Sequence, residues 1–205
     1  MTGPDPLEYG WWLASRAAGI VGYVLFSVAV LAGLTMASRL ASTPARKRAV
    51  LQVHEHAALA GLIAIAVHGI TLLGDAWLDP GPLGVAVPFV IDYRPLAVAA
   101  GIVGAYLAAA LGLSFYIRRK VGAARWRKLH QFTLLAWLLG FLHALFAGTD
   151  VSTTWMQLVL LWTAGPIVVL LGARVTAERR KRAKAAQRAH ARAAAAQSPQ
   201  TAQAA

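Results

Sequence analysis

Five long apolar runs separated by short polar connections constrain this chain more than any other feature of its sequence. They cover residues 11–36, 53–73, 95–117, 129–146 and 155–173. A hydrocarbon layer about 30 Å thick needs close to 20 apolar residues in a helix that rises about 1.5 Å per residue. Inside such a layer no water is present to satisfy backbone N–H and C=O groups, so each crossing must satisfy its own, which a helix does. Composition agrees, with 58% of the 205 residues hydrophobic, 14% charged and a mean hydropathy of +0.56. The expected fold class is all-α, an integral membrane bundle of five transmembrane helices.

Lys and Arg are retained on the cytoplasmic side of a membrane, so the loops predict orientation. Arg39, Arg46, Lys47 and Arg48 lie between runs one and two; Arg118, Arg119, Lys120, Arg125, Arg127 and Lys128 lie between runs three and four. The alternate connections carry Asp75, Asp79, Asp92 and Arg94 in one case and only Asp150 in the other. This predicts an N-terminus outside and a C-terminus in the cytoplasm. Residues 1–10 read as an outer segment, 11–175 as the membrane domain and 176–205 as a basic cytoplasmic tail, partly disordered beyond residue 192. Asp5 and Glu8 precede the first run where a cleaved leader would carry basic residues, so that run is expected to remain as an anchor.

The net charge of +12 sits mainly in these loops and the tail, which membrane topology explains without nucleic acid. The tail is expected to meet anionic lipid. Trp11, Trp12, Trp77, Tyr93 and Trp155 fall at outer boundaries, where amphipathic rings anchor a helix. Pro166 is expected to kink the fifth helix. There is no cysteine, which excludes thiolate metal sites, iron–sulfur clusters and covalent haem attachment.

Ionisable groups at membrane depth are costly and mark functional positions. His54 and His68 lie in the second run, His130 and His143 in the fourth. A spacing of 14 residues returns a helix to within about 40° of the same face and climbs about 21 Å, so His54 and His68 point one way at two depths. His130 and His143 are 13 apart, with a matching rise but an offset of about 140°, a phase that either a local distortion at Gly140 or a π-bulge would change and that the sequence does not decide between. The second and fourth runs cross in the same direction, so His54 pairs with His130 and His68 with His143. Each pair offers two neutral imidazoles to one haem iron and leaves no open coordination position, which suits electron transfer. His56 is expected to face the interface, and His190 lies in the tail.

Gly61, Ala57 and Ala58 are small enough to admit a macrocycle beside His54. Trp137 lies midway between His130 and His143, where it packs between haems, faces lipid or packs against a neighbouring helix. Arg16 is expected to pair with an outer-haem propionate or to snorkel to headgroups. Arg94, and on the inner side Arg48, Arg127 and Lys128, are weaker propionate candidates.

With these two histidine pairs and the basic loop between them, the membrane part resembles the ferric-reductase-like transmembrane family. That family includes NADPH oxidases, ferric reductases and the bacterial haem-binding subunit of the methionine sulfoxide reductase system. The resemblance covers about residues 16–171 and implies two b-type haems, one held by His54 and His130 and one by His68 and His143. It also implies the membrane subunit of an oxidoreductase in the cell membrane, a bacterial inner membrane by expectation. The family commonly has six spans where five are counted here, and its oxidases append flavin and NADPH domains. No G-x-G-x-x-G motif follows a strand here, so the electron donor is expected to be a separate cytoplasmic flavoprotein or a quinol, with an external acceptor. The competing readings are a haem-free helical transporter or assembly module, and an unrelated quinone-linked cytochrome b.

Overall fold

The computed structural model describes the backbone of residues 6–38 and 40–202 and the side chains of 9–38 and 40–191. Asp5, Arg39, the side chain of Glu8 and residues 203–205 lie outside the described residues. Among the described residues the chain is helical throughout, with no strand: α1 (Pro6–Ala37), α2 (Pro44–Leu72), α3 (Gly81–Ala86), α4 (Pro95–Leu113), a 3₁₀ turn (Ser114–Ile117), α5 (Arg118–Val121), α6 (Ala123–His130), α7 (Thr133–Ala147) and α8 (Thr154–Ala202). Five helical stretches are long and apolar enough to cross a membrane: Tyr9–Ala37, Pro44–Leu72, Pro95–Val121, Ala123–Ala147 and Thr154–Ala191.

Local sequence sets the helix ends. The Thr43 hydroxyl accepts from the Arg46 amide at 3.3 Å, and Pro44 opens α2 where its missing N–H costs nothing. Pro95 opens α4 in the same way. Gly122, at φ +89°, separates α5 from α6 in a conformation that residues with a Cβ rarely adopt.

The chain divides into two compact units, Met1–Ile167 and Val168–Ala205. In the first, α1 packs along α2, and α4 packs along α7. Lighter contacts join α1 to α7 and α2 to α4, which leaves α2 and α7 as a diagonal pair whose backbones scarcely approach. The start of α8 closes one side, where Met156 and Leu160 pack on Tyr23 with Phe141 and Leu145. The interior is largely apolar, yet many large apolar side chains also lie on the outside, unlike a water-soluble bundle. Ser27 and Ser15 are buried, whereas Leu96, Trp162 and Ile70 are exposed on the outer faces of their helices. Such continuous apolar exposure fits contact with lipid.

In the second unit α8 remains helical through Ala202, past residue 192 where the sequence reading ends it. Alanine, the best helix former, dominates this stretch. α8 is also assigned as helix through Pro166, where a kink was expected.

The segment between α2 and α4 is ordered by Asp75, which is buried and accepts from the Trp77 and Leu78 amides at 3.0 and 3.3 Å. It is therefore a capping carboxylate rather than a free surface charge.

Candidate functional site

The centre of the first unit is occupied by imidazoles. Across the diagonal, His54 of α2 faces His130 at the end of α6, with ring centres 5.9 Å apart and planes at 77°. His68 of α2 faces His143 of α7, at 6.2 Å and 70°. The matched order shows that α2 and α7 run in the same direction, and the two levels are those the spacing predicts. His56 is exposed and donates or accepts only within its own helix, through Nδ1 to the Gln52 carbonyl at 2.7 Å. His190 is exposed in the second unit.

The 140° offset between His130 and His143 is reduced at Gln131–Phe132, where the helix is interrupted, while α7 runs unbroken through Gly140. There the amides of Phe132, Leu134 and Leu135 bond three residues back, to Leu129, Gln131 and Phe132, at 3.0, 3.2 and 3.0 Å. Each residue wound this tightly advances about 120° in place of about 100°, so a few of them turn His130 toward the face that carries His143. Glycine alone does not distort a helix whose four-residue bonds all form.

Three of the four rings are fixed by one repeated device. His68 Nδ1 lies 2.8 Å from the Ser15 carbonyl and 3.0 Å from the Ser15 hydroxyl. His54 Nδ1 lies 2.7 Å from the Ala29 carbonyl, and His143 Nδ1 lies 2.9 Å from the Ala97 carbonyl. A ring that donates from Nδ1 to a carbonyl keeps its lone pair on Nε2, the nitrogen left to bind a metal.

In each case the residue four positions beyond the acceptor is glycine. A Cβ on Gly19 would lie 3.0 Å from His68 Nδ1, one on Gly33 would lie 3.5 Å from His54, and one on Gly101 would lie 2.5 Å from His143 Nδ1. A helical carbonyl already accepts from the amide four residues on, so a ring that shares it must pass over that residue. The sequence reading missed these partners. The signal was present, because Gly19 and Gly33 on α1 are 14 residues apart, as are His54 and His68 on α2.

Gly61 and Ala57 do not flank an open space beside His54 as expected. A Cβ on Gly61 would meet Phe26 and Leu25 of α1, and Ala57 is buried. The reason is the bond to Ala29, which draws the His54 face of α2 onto α1.

Trp137 packs between helices. It is buried, its Nε1 donates to the Ser27 hydroxyl at 2.9 Å, and its ring stacks on Phe141. Ser27 in turn donates to the Tyr23 carbonyl, and Tyr23 bonds Thr163 of α8 at 2.6 Å.

Near the His68 end, the Arg16 guanidinium pairs with Asp150 through both Nε and Nη2 and lies 5.0 Å from the Trp12 ring. Arg94 donates to the Phe146 carbonyl at 2.5 Å, and Tyr93 to the Ala147 carbonyl at 3.2 Å. The Arg16 pair ties α1 to the α7–α8 connection, and the other two bonds tie the start of α4 to the end of α7. Arg48, Arg127 and Lys128 are exposed.

An imidazole nitrogen lies about 1.2 Å from its ring centre and a metal–imidazole bond is about 2.0 Å, so two rings on opposite sides of one ion have centres about 6.4 Å apart. The pairs, at 5.9 and 6.2 Å, come close to that separation. Among the described residues no group of three or more His, Cys, Asp or Glu side chains converges. Each level therefore offers two nitrogens and no third protein ligand, a donor set that suits an ion whose other positions are filled by a macrocycle. No protein-family model matches this chain, and neither a curated protein nor a solved structure matches it.

Proposed function

We propose that this chain is the haem-bearing subunit of a membrane oxidoreductase, in which two b-type haems stacked across the bilayer pass electrons from a cytoplasmic donor to an outer acceptor. The observation that carries this reading is the pair of imidazole couples on diagonal helices, each about 6 Å between ring centres, with three Nδ1 atoms committed to carbonyls. His54 and His130 would hold one haem, His68 and His143 the other. Held by two imidazoles at each level, a haem would supply one-electron redox chemistry, and the two protein nitrogens would leave no position for oxygen, which favours electron transfer. The chain's own part is to fix the rings, hold the levels one above the other and exclude water with the apolar walls of α1, α4 and α8.

The loop charges support an N-terminus outside and a cytoplasmic C-terminus, which puts the His54/His130 level on the inner side of a bacterial inner membrane. A separate flavoprotein or a quinol would then reduce the inner haem. Of the Arg16 donors, those on Nη1 make no hydrogen bond among the described residues, and they are the ones proposed for an outer propionate. The histidine pairs and basic loop support kinship with the ferric-reductase-like transmembrane family.

The test is an absorption spectrum of the purified protein, oxidised and dithionite-reduced, with haem counted per chain. Two low-spin b haems are expected. Protein from haem-replete cells with no Soret band would end the reading.

A further inference from the structure

The fourth ring lacks the device that fixes the other three. His130 Nδ1 is buried with no hydrogen-bond partner among the described residues. The carbonyl that corresponds to those of Ser15, Ala29 and Ala97 is that of Leu111 on α4, which approaches His130 closely enough to act on its ring but lies outside hydrogen-bond geometry for Nδ1. Two local features explain why. The residue four beyond Leu111 is Phe115 instead of glycine, and it lies in the 3₁₀ turn that ends α4. The Leu111 carbonyl is also already taken by the Ser114 hydroxyl, which donates to it at 2.6 Å. Ser114 in turn accepts from Trp126 Nε1 at 3.1 Å, and the Trp126 ring stacks on His130 at 4.8 Å and 25°. His130 is therefore held by its ring face and by a looser approach to the Leu111 carbonyl. Stacking orients the plane but fixes no tautomer and adds no electron density to Nε2, whereas a carbonyl on Nδ1 does both.

Resting on the dihaem reading, we infer that His130 is an exchangeable ligand, so that the His54/His130 level admits a small neutral lone-pair donor of diatomic size while the His68/His143 level stays closed. The exchange is a substitution: the lone pair of the incoming molecule replaces that of His130 Nε2, the iron stays ferrous, and no electron or proton moves. The chain places this opening at the end of α6, next to the tightened turn at Gln131–Phe132, where the ring can swing without breaking α7.

Carbon monoxide is the probe, applied to the dithionite-reduced protein with both haems counted beforehand. The expected result is one carbon monoxide per two haems, with a binding rate that levels off as the gas concentration rises, because release of His130 limits it. Ser114→Ala frees the Leu111 carbonyl for His130 Nδ1 and is expected to lower that limiting rate about tenfold. Two intact low-spin haems that bind no carbon monoxide, or that both bind it, would overturn the inference and leave the dihaem reading standing. A limiting rate unchanged in Ser114→Ala would overturn it as well. A protein without haem would instead remove the reading beneath it.

Discussion

The two histidine levels are built from the same residues and differ in what lies behind them. At the His68/His143 level both rings donate to backbone carbonyls, each carbonyl is followed four residues later by glycine, and the Ser15 hydroxyl gives His68 a second contact. At the other level His54 is held in this way and His130 is not. The difference teaches that a ligand's strength is set by the neighbouring helix: a carbonyl positioned to accept, and a missing Cβ to let the ring reach it. Three hydrogen bonds of this kind contribute about 0.5–1.5 kcal/mol each and, more to the point, choose the nitrogen that remains free.

The largest effect that would break the comparison is removal of a ligand. His68→Ala and His143→Ala should each remove the same haem and leave the other, read as half the haem per chain; loss of two different haems would refute the pairing. Next is Gly101→Ala, whose new methyl would sit 2.5 Å from His143 Nδ1 and must push the ring from the Ala97 carbonyl. Retention of that haem on dilution should weaken by about 10–100-fold, the usual cost of losing such a supporting bond. Gly19→Ala, with a 3.0 Å contact, should show the same effect more weakly.

Arg16→Ala leaves Asp150, which is mostly buried, without its partner and should cost about 1–3 kcal/mol in thermal unfolding. It should also shift the potential of the His68/His143 haem; an unshifted potential would undo the propionate proposal. Trp137→Phe removes one buried hydrogen bond to Ser27 and should cost about 1 kcal/mol with haem content unchanged. The smallest effect is expected from Gly33→Ala. Its methyl meets His54 at an ordinary 3.5 Å, and alanine gains up to about 1 kcal/mol of helix propensity, so stability and spectrum should barely move.

Much of this arrangement was legible before any coordinates. The apolar runs match the five long helices to within a few residues, except where polar flanks extend them, because apolar length reports the lipid-facing part and not where the helix ends. The pairing of His54 with His130 and of His68 with His143 followed from spacing and parallel direction. The phase of His130 did not, because the tightened turn at Gln131–Phe132 carries no proline or glycine to announce it. Gly61 and Ala57 were placed beside a macrocycle and serve the α1–α2 seam, since a small residue marks close approach without naming the neighbour. Arg16 was read for charge and depth, and its partner Asp150 lies 134 residues away on another connection.

Sequence by itself determined the number of long apolar helices, the two depths of the histidines and the absence of thiolate chemistry, because each depends on residue type and on the fixed rise and turn of one helix. Only the tertiary structure decided which carbonyls and glycines stand behind each ring, why three imidazoles are anchored and His130 is not, and that Trp137 belongs to a helix seam. Those facts depend on the register between helices, which no single helix encodes.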